Sequence, residues 1–130
     1  MPHPPTAIQT AQAPQAIGPY SQGMWSGPWL FLSAQIPLDP KSGELCTGDV
    51  AAQTVQVMDN LGAVLGATGI GFPQVVKTTL YLVDMADFAV VNTVYARYLQ
   101  PPYPARSTVG VAALPRGARV AIDAVAWVPE

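Results

Sequence analysis

Arg119-Val120-Ala121-Ile122-Asp123-Ala124-Val125-Ala126-Trp127-Val128, close to the C-terminus, decides how this chain folds. Successive side chains of a strand point to opposite faces, so Val120, Ile122, Ala124, Ala126 and Val128 make an apolar row suited to a covering helix. The opposite row is Arg119, Ala121, Asp123, Val125 and Trp127, and its Val125 and Trp127 are poor company for bulk water. The stretch from Val75 to Val83 repeats the pattern, with Val75, Tyr81 and Val83 opposed to Val76, Leu80 and Leu82. Both faces of this sheet ask for cover.

Outward from that strand, Leu114-Pro115-Arg116-Gly117 joins it to another strand running from Ala105 to Val111. Near the start, Ile17 to Trp25, the turn Ser26-Gly27-Pro28, and Trp29 to Ala34 read as a hairpin. Four consecutive large apolar residues, Trp29 to Leu32, predict burial of its second strand on both faces. Asp49 is a candidate N-cap for a helix whose inward row is Val50, Thr54, Val57, Met58, Leu61, Val64 and Leu65, ended by Gly69 and Gly71. A second helix is predicted from about Ala86 to Leu99, with Phe88, Val91, Val94, Tyr95 and Tyr98 on its apolar face and Pro101-Pro102 stopping it. The order is ββαβαββ, an α+β domain over residues 16–130 with two helices on one face of one sheet, after a flexible arm over residues 1–15. Two helices cover one face only, and the other is most simply covered by further copies of the chain.

Composition points the same way. Half of the 130 residues are hydrophobic and 11% are charged, against roughly 25% charged in an average soluble domain. A folded monomer of 13.7 kDa exposes roughly 6,600 Å², a large surface for so few charges. A net charge of −2 argues against binding nucleic acid, since nothing is left over to neutralise phosphates. Apolar runs fall well short of the roughly 20 residues of a membrane span. The first residues lack the basic start and apolar stretch of a secretory signal, and the single cysteine, Cys46, can make no internal disulfide; both suggest a cytoplasmic protein. The only histidine, His3, stands in a Pro-rich tail, which disfavours Ser-His-Asp catalysis and His-based metal sites. Arg, carboxylates, hydroxyls, backbone groups and water are left to do any chemistry.

Several segments resemble the reactive intermediate deaminase family (RidA/YjgF, endoribonuclease L-PSP): Ala16-Ile17-Gly18-Pro19-Tyr20-Ser21-Gln22, Ser33-Ala34-Gln35-Ile36-Pro37, Asp39 to Glu44, Val76-Lys77-Thr78-Thr79, Asp87-Phe88 with Val91-Asn92 and Tyr95, and Tyr103-Pro104-Ala105-Arg106-Ser107. They occur in the family's order over about residues 16–128. The resemblance implies a mixed-sheet, chorismate-mutase-like protomer, a homotrimer with ligand sites between subunits, and hydrolysis of enamines and imines such as 2-aminoacrylate to 2-oxo acids and ammonia. It implies no metal and no organic cofactor, with a small imino or oxo carboxylate as partner, as for 2-iminobutanoate/2-iminopropanoate deaminases.

The resemblance also implies roles. Arg106 takes the carboxylate-clamp position, where a planar guanidinium can make two charge-assisted bonds; by its residue type alone the favoured reading is an arginine paired with Asp or Glu, and the motif reverses that preference. Tyr20 and Ser33 match hydroxyl-bearing ligand contacts, and Asn92 matches a recurrent position on the second helix. Lys77 reads as a strand residue with its stem packed on the sheet. Thr108 replaces the cysteine that classical deaminases carry two positions after the clamp, on the same strand face as Arg106. Ala121 replaces the glutamate that orients the attacking water. Asp123 is the candidate substitute, two residues along the same face; it could reach a water or pair with Arg106, Lys77 or Arg119, and pairing is the expectation. Weakened hydrolysis, a binding protein without turnover, and the ribonuclease activity of the family's older name are the competing readings.

Overall fold

The computed structural model describes residues 4–129. Six strands, β1 (Thr6–Ile8), β2 (Gly23–Ser26), β3 (Trp29–Gln35), β4 (Val75–Leu82), β5 (Ala105–Gly110) and β6 (Val120–Trp127), form one sheet in the order β1-β2-β3-β6-β4-β5. Two helices, α1 (Val50–Ala67) and α2 (Phe88–Ala96), complete it. Only β4 and β5 are parallel, and α2 lies in the crossover that a parallel pair requires. The expected α+β layout with a mixed sheet is present, with one strand more than predicted.

Helix α1 begins where its sequence says it should: Asp49 accepts a hydrogen bond from the Ala52 amide at 2.9 Å. Its whole predicted inward row, Val50 to Leu65, is buried. At its end Gly69 takes φ +81, a conformation open to glycine and strained for other residues. The core lies between α1, α2 and the sheet face formed by Leu30, Leu32, Leu80, Leu82, Val120, Ile122, Ala124 and Ala126. Polar residues buried in α1 serve as anchors: Asn60 donates to the Leu38 carbonyl at 3.0 Å, and Gln53 accepts from the Arg119 amide at 2.9 Å. The second helix starts later than predicted, because Asp84 caps a 3₁₀ turn over Met85–Asp87 that precedes it.

Other expectations change as well. The segment expected to be a flexible arm supplies β1, paired with β2, and Ala13 is completely buried. After β1, the buried amide of Gln22 anchors the segment: it accepts from the Thr10 amide at 2.7 Å and donates to the carbonyls of Thr10 and Pro14 at 3.0 and 2.7 Å. His3 lies outside the described residues. Of the strand expected from Ile17 to Trp25, only Gly23 onward is extended sheet. In β4 the register against β6 slips between Val75 and Lys77, leaving Val76 as an extra residue. Val75 is thereby turned to the core face and Val76 outward, the reverse of simple alternation.

The face away from the helices is open within one chain. Trp29, Phe31 and Trp127 are 42%, 47% and 41% exposed, so β3 is buried on one face rather than two. Trp29 and Trp127 are register partners, with ring centroids 6.4 Å apart. Among the described residues, no helix is long and apolar enough to cross a membrane.

Candidate active site

Arg106 stands on the edge strand β5, opposite Thr78, which is itself opposite Ala124 of β6. Paired residues share a face, which puts Arg106 on the helix side of the sheet. There α2 presents Phe88, Asn92 and Tyr95, spaced to lie along one side of a helix. Asn92 Oδ1 accepts from Arg106 Nη1 at 2.6 Å, and the guanidinium carbon lies 5.5 Å and 5.3 Å from the ring centroids of Phe88 and Tyr95. Tyr95 is fixed in turn by a buried 2.7 Å hydrogen bond with Thr78. The ion pair found among the described residues joins Arg119 to Asp87, so Arg106 has no carboxylate partner there. Arg106 is exposed, positioned by one amide and two rings, beside a cavity of about 510 Å³ that Leu99, Tyr103 and Pro104 also line. Such an arginine retains N–H donors for an incoming carboxylate. Thr108, opposite Leu80, lies half-buried on the same face.

Tyr20 and Ser33 stand elsewhere in the chain. Tyr20 is 52% exposed in the loop before β2, and Ser33 Oγ donates to the Ser21 carbonyl at 2.6 Å, leaving its lone pairs to accept. Tyr20 borders a mainly apolar cavity of about 490 Å³, with Ile17, Leu38, Tyr81, Leu114 and Ala121. Ala121, in the position the resemblance assigns to glutamate, is therefore in the wall of this cavity.

Asp123 does not pair with Arg106. It is opposite Thr79, whose partner on β5 is Ser107, on the sheet face away from Arg106. Its carboxylate accepts from the Tyr81 hydroxyl at 2.8 Å. That bond and burial push the Tyr81 phenol above its usual range. Arg119 is engaged by Asp87, and Lys77 donates to Thr79 and Ser107 at 3.3 and 3.4 Å. All three cations expected for Asp123 are thus otherwise placed. Tyr81 escaped notice as a polar site residue because alternation gives its face but not its partner, which depends on the β4–β6 register.

The candidate residues thus fall into two separate groups: Arg106 with Asn92 and Thr108 at one edge, and Tyr20, Ser33, Tyr81 and Ala121 around the open side. Comparison with known proteins finds a family model, described as Endoribonuclease L-PSP, matching residues 10–128. Protein DfrA of Myxococcus xanthus is 56% identical over 122 residues, covering 92% of this chain and 93% of the relative. The 2-iminobutanoate/2-iminopropanoate deaminase of Mus musculus is 50% identical over 119 residues, covering 92% and 88%. Among solved structures, E. coli TdcF with bound serine superposes with a TM-score of 0.91 at 38% identity, covering 95% of this chain and 99% of that one. RidA from the Antarctic bacterium Psychrobacter gives 0.91 at 42% identity, again covering 95% and 99%.

Proposed function

The chain belongs to the endoribonuclease L-PSP family, and from that membership we propose that it hydrolyses small 2-imino and enamine carboxylates to 2-oxo acids and ammonia. The observation that carries the reading is Arg106, held by Asn92 and two aromatic rings with no carboxylate beside it among the described residues. A carboxylate gripped at that guanidinium fixes the adjacent imine carbon for attack by water, which converts a bimolecular encounter into a positioned one. Relatives named as 2-iminobutanoate/2-iminopropanoate deaminases support this substrate class, and so does TdcF with bound serine, an amino carboxylate.

Arg106 and the hydroxyls of Tyr20 and Ser33 occupy separate parts of one protomer, and the open sheet face carries exposed Trp29, Phe31 and Trp127. Both facts support a homotrimer in which the clamp of one subunit meets the hydroxyls of the next. In a coupled assay, an amino-acid dehydratase releases the imine and 2-oxo acid formation is followed with and without the protein. Acceleration by wild type, with a loss of about 100-fold in kcat/KM for Arg106→Ala, is the expected result, matching removal of a charged hydrogen-bonding group. Rates equal to buffer alone reject the activity.

Ala121 favours a second reading, a binding protein for small carboxylates without turnover, because it brings no polar atom to the wall where a water would be held. Binding of 2-oxobutyrate that depends on Arg106, with no acceleration of imine hydrolysis, would select it. Ribonuclease activity is disfavoured by the net charge of −2.

A further inference from the structure

We propose that Tyr81 is the group that orients the attacking water, and that Asp123 is the positioning residue that holds the Tyr81 hydroxyl for this task; the proposal rests on the deaminase reading above. Tyr81 and Ala121 are direct cross-strand partners, and both line the cavity that Tyr20 borders. Side chains so placed start roughly 5 Å apart on the same face of the sheet. Its hydroxyl ends on Asp123 at 2.8 Å, two residues farther along β6.

A phenol has one proton to donate and two lone pairs with which to accept. The Tyr81 proton is committed to Asp123, so the oxygen meets everything else as an acceptor. A water that donates one hydrogen to this oxygen has its own lone pairs turned elsewhere, available to an electrophilic carbon. Hydrogen bonding to an ionised carboxylate also makes the phenol oxygen a better acceptor. The upward-shifted phenol remains protonated at neutral pH, as this arrangement requires. A carboxylate projecting from residue 121 would offer an acceptor in the wall of the same cavity; here the acceptor comes from the neighbouring strand.

The water oxygen bonds to the carbon of the protonated imine, and the C=N π pair moves onto nitrogen. One water proton passes to Tyr81 Oη as the phenol proton passes to Asp123, giving the neutral carbinolamine. Reversal of that transfer delivers a proton to the amine nitrogen, the C–N bond breaks with its pair leaving on ammonia, and the hydroxyl proton is released as the 2-oxo acid forms. Ammonia takes that proton, so iminium and water become 2-oxo acid and ammonium.

The test compares wild type, Tyr81→Phe, Asp123→Asn, the double variant and Tyr81→Phe/Ala121→Glu in the coupled imine assay, with 2-oxobutyrate titration of each as the check on folding and on the clamp. Tyr81→Phe and Asp123→Asn are each expected to lower kcat about 100-fold with KM within about twofold and 2-oxobutyrate binding retained. The double variant should be no worse than either single one, since the two groups act as a unit. Adding Ala121→Glu to Tyr81→Phe should recover at least about tenfold in kcat, because the acceptor returns by the direct route. Wild-type kcat in Tyr81→Phe overturns the proposal, and so does a loss matched by equal loss of 2-oxobutyrate binding, which marks a structural role. An inert wild type overturns the deaminase reading itself, an outcome distinct from an active wild type with an equally active Tyr81→Phe.

Discussion

Tyr98, just beyond α2, donates its hydroxyl to Asp59 of α1 at 3.0 Å. Burial first, and the Asp59 contact after it, push its phenol up to about 12. Up to the ordinary tyrosine value near 10 the folded and unfolded chains both keep this proton, and the contact's full contribution is present. Above it the unfolded chain gives the proton up while the folded chain holds it, so that contribution is lost as pH rises through about 12. The urea midpoint of wild type is expected to fall over this interval, and Tyr98→Phe should show a shallower fall; equal slopes would mean that the contact does not couple to stability. At this scale the sequence was informative about type and weak about partner. Arg106 and Asn92 could be named from motif positions, and their hydrogen bond then follows from placing α2 over β5. Tyr81 and Asp123 are 42 residues apart, and only the strand register brings them together.

Helix α1 was legible almost to the residue, because a 3.6-residue period, a side-chain N-cap and a terminal glycine are all local features. Asp49→Ala removes the 2.9 Å bond to the Ala52 amide and should cost about 1 kcal/mol. For a chain of 130 residues this lowers Tm by roughly 3 to 5 °C, measurable by scanning calorimetry. An unchanged Tm would show that the first turn of α1 is secured by packing alone. Strands were legible as strands, yet β4 hid its faces: one extra residue at Val76 inverts Val75, and no alternation rule anticipates a bulge. The N-terminal segment was missed for a different reason. Three residues of β1 are too few to show a period, their partner is the distant β2, and the residues that follow, Thr10 to Pro14, are held by a side-chain amide on another segment.

For the whole molecule, the scarcity of charge and the exposed outer row of Trp29, Phe31 and Trp127 are the features on which the proposed homotrimer rests. Light scattering is expected to give about 41 kDa, three times 13.7 kDa. Phe31→Glu, which sets a charge on the open face, should shift the mass toward one chain and abolish imine hydrolysis while helical circular dichroism is kept. A single-chain mass for active wild type would contradict a site shared between subunits. The grip of Gln22 on the N-terminal segment has a further effect, since Pro14 and Gln15 form part of the wall of the cavity that Tyr20 and Ala121 border. Cavity occupancy and docking of this segment are then thermodynamically reciprocal: a ligand that rests against Pro14 tightens the stretch that Gln22 holds, and loosening of that stretch weakens the ligand by the same factor.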